Sequence, residues 1–184
     1  MLNKIMSKFK DVINNALKKS EELLQEMPQA SKAVDFDLKG MFNKIKSKLN
    51  KGNKFEVYTI QSATINDIEH EYLIDSKGEP VLYCSYKIHN NFGIVEKSVF
   101  QSRSVKGLAR RYYIQYLIPK HKLILSDDSL TIKGVDFYVN LFEYLTIKVI
   151  DTTTKEVGAL EKAEEIYDYF GIGQDKYRFM LTKK

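Results

Sequence analysis

Apolar positions in the first fifty residues repeat at helical spacing. Leu2, Ile5, Met6, Phe9, Val12, Ile13 and Leu17 recur every three or four residues, and Phe42, Ile45 and Leu49 repeat the pattern. The decapeptides MLNKIMSKFK (1–10) and MFNKIKSKLN (41–50) share six of ten positions. Pro28 and Gly40 punctuate the stretch, which reads as two or three short amphipathic helices. NKGNK (50–54) reads as a linker.

Beyond it the periodicity changes from helical to alternating. KFEVYTI (54–60) has strand character, and YLIDSKGEPVLYCSYKI (72–88) reads as a hairpin turning at Lys77–Gly78. A second turn at 90–93 leads into the strand 94–100. Residues 106–118 have helical spacing and meet Pro119, which should end the helix. KLILS (122–126) is a short apolar strand of the buried kind. A helix over much of 131–145, a strand at 146–154, a helix at 161–170 and a closing strand at 176–182 complete the order. This order predicts an α+β fold: a mixed, mostly antiparallel sheet with a central strand–helix–strand crossover, preceded by short amphipathic helices. It divides the chain into a basic helical arm, 1–53, and an α+β domain, 54–184.

Composition narrows the setting. No apolar run reaches the ~18 residues of a membrane-spanning helix. Cys84 is the only cysteine, so no internal disulfide forms, and a reducing, cytoplasmic setting is expected. His70, His89 and His121 stand apart and suggest no metal site. The net charge of +5 is unevenly spread. Residues 1–54 hold twelve lysines against six acids, whereas the rest holds seventeen basic residues against eighteen acidic ones. The arm is therefore the part expected to meet a macromolecule, whether protein, nucleic acid or membrane surface, unless its apolar faces simply pack on the domain. The richness in Lys, Ile, Asn and Tyr suits a low-GC bacterium or its phage.

The segment RSVKGLARRYYIQYL (103–117) carries the candidate chemistry. Gly107 lets a ligand approach the backbone, a helix start offers unpaired N–H groups, and Arg103, Lys106 and Arg110 add positive charge. VFQSRSVKGLA (99–109) resembles the acyl-CoA pyrophosphate loop of the GNAT superfamily of N-acetyltransferases, (Gln/Arg)-x-x-Gly-x-(Gly/Ala). Gly107 and Ala109 match its two small positions, with Lys106 and Leu108 around them. Ser104 stands where Gln or Arg is usual, with Arg103 one step earlier, and Val105 stands where a second glycine is usual. The order of elements over about 55–184 follows the same family.

The resemblance implies an acetyl-CoA co-substrate, with transfer of the acetyl group to an amine of a protein or small molecule. The backbone of Ser98, Val99 and Phe100 would meet the pantetheine arm in a gap between strands 94–100 and 122–126. Amides from Ser104 to Ala109 would hold the pyrophosphate. Tyr138 falls where many family members carry the acid that protonates the leaving thiolate. The base could be Glu96, Asp127, Asp128 or a water relay. Strand alternation places Glu96 on the face of Ser98 rather than Val99. Each residue also has a plainer role: Tyr138 in the core, Glu96 in solvent, Asp127 in a turn, Tyr112, Tyr113 and Tyr116 packing the helix on the sheet, Cys84 an inert buried thiol. The alternative function is a non-catalytic α+β binding or structural protein tethered by its arm.

Overall fold

A computed structural model of the chain describes residues 37–89, 93–127, 130–170 and 174–184. The first of the expected amphipathic helices and Asp128 lie outside the described residues.

Asp37 caps the first described helix, α1 (Leu38–Ile45), through its carboxylate, which accepts from the Gly40 amide at 2.8 Å. A 3-10 turn at Lys46–Lys48 leads into β1 (Asn50–Phe55). NKGNK is therefore strand and not linker, and the expected boundary at 53/54 falls inside β1. β1 turns directly into β2 (Tyr58–Ile65), which turns into β3 (Ile68–Ile74) through Asn66 and Asp67. Both turn residues have positive φ, 52° and 61°, a two-residue hairpin geometry that Asn and Asp tolerate. β3 joins β4 (Pro80–His89) at a turn in which the Asp75 carboxylate accepts from the amides of Lys77 and Glu79. β5 (Gly93–Gln101) completes a five-strand antiparallel meander.

A helical segment follows: α2 (Leu108–Tyr112), a π-helical turn (Tyr113–Leu117) and α3 (Ile118–His121). The segment thus runs through Pro119 instead of ending before it. Pro119 has no amide to give this continuous helical run, and the widened π turn just before it absorbs the misfit. The chain reverses at Lys122, φ 67°, into β6 (Leu123–Leu125). Thr131 caps α4 (Ile132–Leu141), and β7 (Leu145–Asp151), the short β8 (Val157–Ala159), a 3-10 run at Ala163–Tyr169 and β9 (Tyr177–Lys183) follow.

The fold is α+β, and its sheet is mixed and nine-stranded, in the order β1-β2-β3-β4-β5-β6-β9-β7-β8. β5 and β6 are parallel, and the other neighbours are antiparallel. The last strand is interior, between β6 and β7. One sheet face carries α2, the π turn, α3 and α4, and its core includes Leu82, Ile94, Tyr112, Tyr113, Tyr138 and Phe179. On the other face α1 lays Phe42, Met41 and Ile45 over Tyr72, Ile74 and Tyr83.

Tyr72 is buried under α1, with its ring edge-on to Phe42 at 5.3 Å. Its hydroxyl has no hydrogen-bond partner among the described residues. Tyr72→Phe should therefore be neutral or stabilising, by up to about 1 kcal/mol, because the mutation removes a buried polar atom and no bond. Chemical denaturation checks this, and a loss beyond 1 kcal/mol would show that the hydroxyl is satisfied.

Candidate functional site

The pairing of β4 with β5 slips between Ser85–Ser98 and Tyr86–Glu96, so Lys97 is an extra, bulged residue. This bulge corrects the alternation read from the sequence. Cys84 and Tyr86 share a face; Cys84 pairs with Val99 and Tyr86 with Glu96, so Glu96 lies on the face of Val99 and not of Ser98. That face is the one covered by the helical segment.

Glu96 is 5% exposed there. Its Oε2 accepts from the Tyr113 hydroxyl at 2.6 Å and the Tyr138 hydroxyl at 2.8 Å. Burial pushes the Glu96 pKa up and outweighs the two phenols, which pull it down; the nearby Asp127 charge adds to the rise. Tyr113 and Tyr138 are pushed well above the ordinary phenol range, by burial first and then by Glu96. Cys84, wholly buried nearby, is pushed up by burial and by Glu96 and Glu71, which keeps its thiol protonated and unreactive.

A second buried carboxylate, Glu71 on β3, lies on the same face. The Tyr112 hydroxyl donates to its Oε2, and Lys120 Nζ donates to its Oε1 at 2.8 Å. Lys120 also reaches the Tyr86 hydroxyl at 3.2 Å, and His121 Nε2 lies 3.3 Å from that same hydroxyl. Burial opposes the Lys120 charge, but Glu71 outweighs it and the pKa is raised. Burial, then Lys120, drives His121 down to about 4. Adjacent residues Tyr112 and Tyr113 thus reach carboxylates on different strands, just where the helix widens into its π turn. Glu71 has a cation and Glu96 has only phenols, which separates their electrostatics. Glu71 was missed in the sequence, although its parity with the apolar Leu73 on an alternating strand marks it as inward-facing.

The loop before α2 is tied to the sheet. The Ser102 amide donates to Val81 O at 2.8 Å, the Val105 amide to Ser102 O at 3.2 Å and the Ser104 amide to Ser102 Oγ at 3.3 Å. The Ala109 amide donates to the Gln101 side chain at 2.9 Å, so part of the helix start is already capped from within. Gly107 takes φ +68°, which a glycine adopts without strain. A Cβ there would meet Arg111 Nη1 at 3.7 Å and Arg110 Nη2 at 3.8 Å. Arg111 also grips Glu56 on the β1–β2 turn with two hydrogen bonds, at 2.8 and 3.2 Å, while Arg110 lies over the Tyr144 ring. Arg103 and Lys106 are exposed; Leu108 is buried.

β5 and β6 pair only at Ile94–Ile124 and Val95–Leu125. β6 then ends, and Ser126 is drawn to β9 through two hydrogen bonds with Phe179. β5 continues for six residues past this ladder, through Ser98, Val99 and Phe100. Val99 points to the helical face, whereas Phe100 joins the cluster under α1. Lys97 Nζ donates to Asp127 Oδ1 at 3.0 Å, linking the bulge to the end of β6. Of the candidate catalytic residues, the fold joins Tyr138 to Glu96 directly and gives Asp127 to Lys97.

A hollow of about 280 Å³ lies apart from these residues, lined by Thr64, Asp67, Glu69, Lys87 and Ile88. Among the described residues no group of three His, Cys, Asp or Glu side chains is placed to hold a metal ion, and no helix is long and apolar enough to cross a membrane. No protein-family model matches the chain, and a search of curated proteins likewise found no match.

Proposed function

We propose that the domain is a GNAT-like acyl-CoA-dependent N-acetyltransferase that takes acetyl-CoA at the point where β5 and β6 part. The observation that carries this reading is the two-pair parallel ladder, beyond which six residues of β5 continue without a β6 partner. The pantetheine arm would lie along Ser98, Val99 and Phe100. The diphosphate would meet the amides of Lys106, Gly107 and Leu108, where the bare backbone at Gly107 lies beside the Arg110 guanidinium and beside Arg111, whose charge is already shared with Glu56. The acceptor would be an amine, of a protein or small molecule, attacking the thioester directly.

One observation favours a second reading, an acyl-CoA-binding or structural domain without transferase activity. Tyr138 is fully buried and donates to Glu96, so its proton is not presented to a thiolate unless the cluster opens. Asp127, the other candidate base, is ion-paired with Lys97.

Acetyl-CoA at about 100 times its Kd should stabilise the protein by ~2.7 kcal/mol, a rise in Tm of roughly 5–10 °C for a domain of this size. Gly107→Glu should abolish that rise by placing bulk and negative charge where the diphosphate would lie. The Tm of this variant without ligand separately reports the backbone strain, about 1–2 kcal/mol. No response of the native protein to acetyl-CoA overturns the transferase reading and leaves a non-catalytic binding or structural domain that takes no acyl-CoA. A response without acetyl transfer to any amine selects the second.

A further inference from the structure

The stretch 38–55 carries Lys39, Lys44, Lys46, Lys48, Lys51 and Lys54 and no acidic residue. All six lysines are exposed, distributed over α1, the 3-10 turn and β1, the outermost strand of the sheet. Lys39 pairs with Glu79, and Lys46 lies 5.4 Å from the centre of the Phe42 ring. Lys44, Lys48, Lys51 and Lys54 form no ion pair among the described residues. β2, alongside, contributes Tyr58, Thr59, Gln61 and Ser62 opposite β1 and carries no charge that could neutralise the strip. The acids that flank the stretch are both engaged: Asp37 accepts from the Gly40 amide at the start of α1, and Glu56 is held by Arg111.

We propose that this strip is a binding surface for nucleic acid, held through its phosphate backbone without regard to base sequence. The inference does not depend on the acetyltransferase reading. Apolar packing decides between a nucleic acid and an anionic membrane. A helix that lies on a membrane must bury an apolar face in it. Here that face is spent inside the protein: Leu38, Met41, Phe42, Ile45 and Leu49 all pack on the cluster around Tyr72 and Tyr83. What α1, the 3-10 turn and β1 turn outward is mainly lysine together with Asn43, Ser47, Asn50 and Asn53. Among the described residues, Val57, at the tip of the β1–β2 turn, is the one large apolar side chain exposed nearby, too little for insertion. The strip presents no exposed aromatic ring on which a base could stack, so contact falls on phosphates, which carry no sequence information. Binding of this kind releases counterions and is steeply salt-dependent.

The test uses the full chain and fluorescence anisotropy with two labelled 25-base-pair DNA duplexes of unrelated sequence. Four phosphate contacts predict a slope of log Kobs against log salt of about −4. Replacing Lys44, Lys48, Lys51 and Lys54 together by Gln should weaken binding at least tenfold at 0.1 M salt and reduce the slope by about 3 to 4 units. The charge-matched control, Gln at Lys77, Lys122, Lys133 and Lys162, should bind within about twofold of the native chain once its smaller net charge is allowed for. Unchanged Tm in both variants separates binding from folding. Undiminished binding by the first variant would overturn the proposal, as would equal losses in both or a more than tenfold preference between the duplexes. Tighter association with vesicles containing 30% phosphatidylserine than with DNA at the same salt would overturn it in favour of a membrane.

Discussion

Glu96→Gln should make the protein more stable than the native chain at pH 8, and the advantage should vanish toward pH 4. Glu96 has a raised pKa in the fold, so its favourable contribution is complete below the ordinary carboxylate range and is lost as the pH rises through the raised value. At high pH the native protein must either ionise a carboxyl in its core or hold a proton there at a cost. Glutamine mimics the protonated form: its oxygen can accept both phenols, and it cannot ionise. His121 works in the opposite direction. Its pKa is lowered to about 4, so the stability it contributes is present above the unfolded value near 6.5 and is lost as the pH falls toward 4. The native Tm should decline on both sides, and Glu96→Gln should flatten only the alkaline side. Glu96→Ala should behave differently again. It opens a cavity and strands the hydroxyls of Tyr113 and Tyr138, at about 1–3 kcal/mol for each orphaned group, so a loss of roughly 3 kcal/mol or more is expected at every pH. Thermal denaturation from pH 4 to 9 reads all three proteins. Parallel pH profiles for the native and Gln forms would show that Glu96 does not titrate as its burial requires.

Removal of the last eight residues, 177–184, should abolish cooperative folding. The termini of most domains can be trimmed cheaply. This one cannot, because β9 sits inside the sheet, pairing with β6 on one side and β7 on the other. Its loss would break the nine-stranded sheet in two and expose the edges of β6 and β7, together with the core positions that had faced Phe179, Met180 and Leu181. The milder Phe179→Ala should cost about 3–5 kcal/mol, a large share of the 5–15 kcal/mol typical of a domain. Far-UV circular dichroism with urea titration would show the truncation as a broad, shallow unfolding curve. A sharp transition retained after truncation would contradict the strand order.

The periodicity of the chain was enough to place it in the α+β class with a mixed sheet, because alternation and 3.6-residue spacing are local consequences of which side chains must face a core. It located β4, β5, β6, β7 and β9 and the helices after β5 and β6, and it placed the three tyrosines of 112–116 against the sheet. It failed where local signals compete with tertiary ones. Lysines and a glycine at 50–54 have no reason of their own to be a strand, and only pairing with β2 makes them one. Pro119 stops an isolated helix, but a π turn held by tyrosines anchored on Glu71 and Glu96 carries the chain past it. The bulge at Lys97 leaves no mark in the sequence, because one inserted residue changes the phase of every side chain after it without changing their identity. That single shift decides whether Glu96 faces water or the core. The sequence by itself therefore determined which segments have faces to bury and where a bare glycine begins a basic helix. Tertiary structure alone decided which carboxylates are dry, which lysines remain outside, and that the chain's last strand lies inside its sheet. Those depend on long-range pairing and burial, which no local window of residues contains.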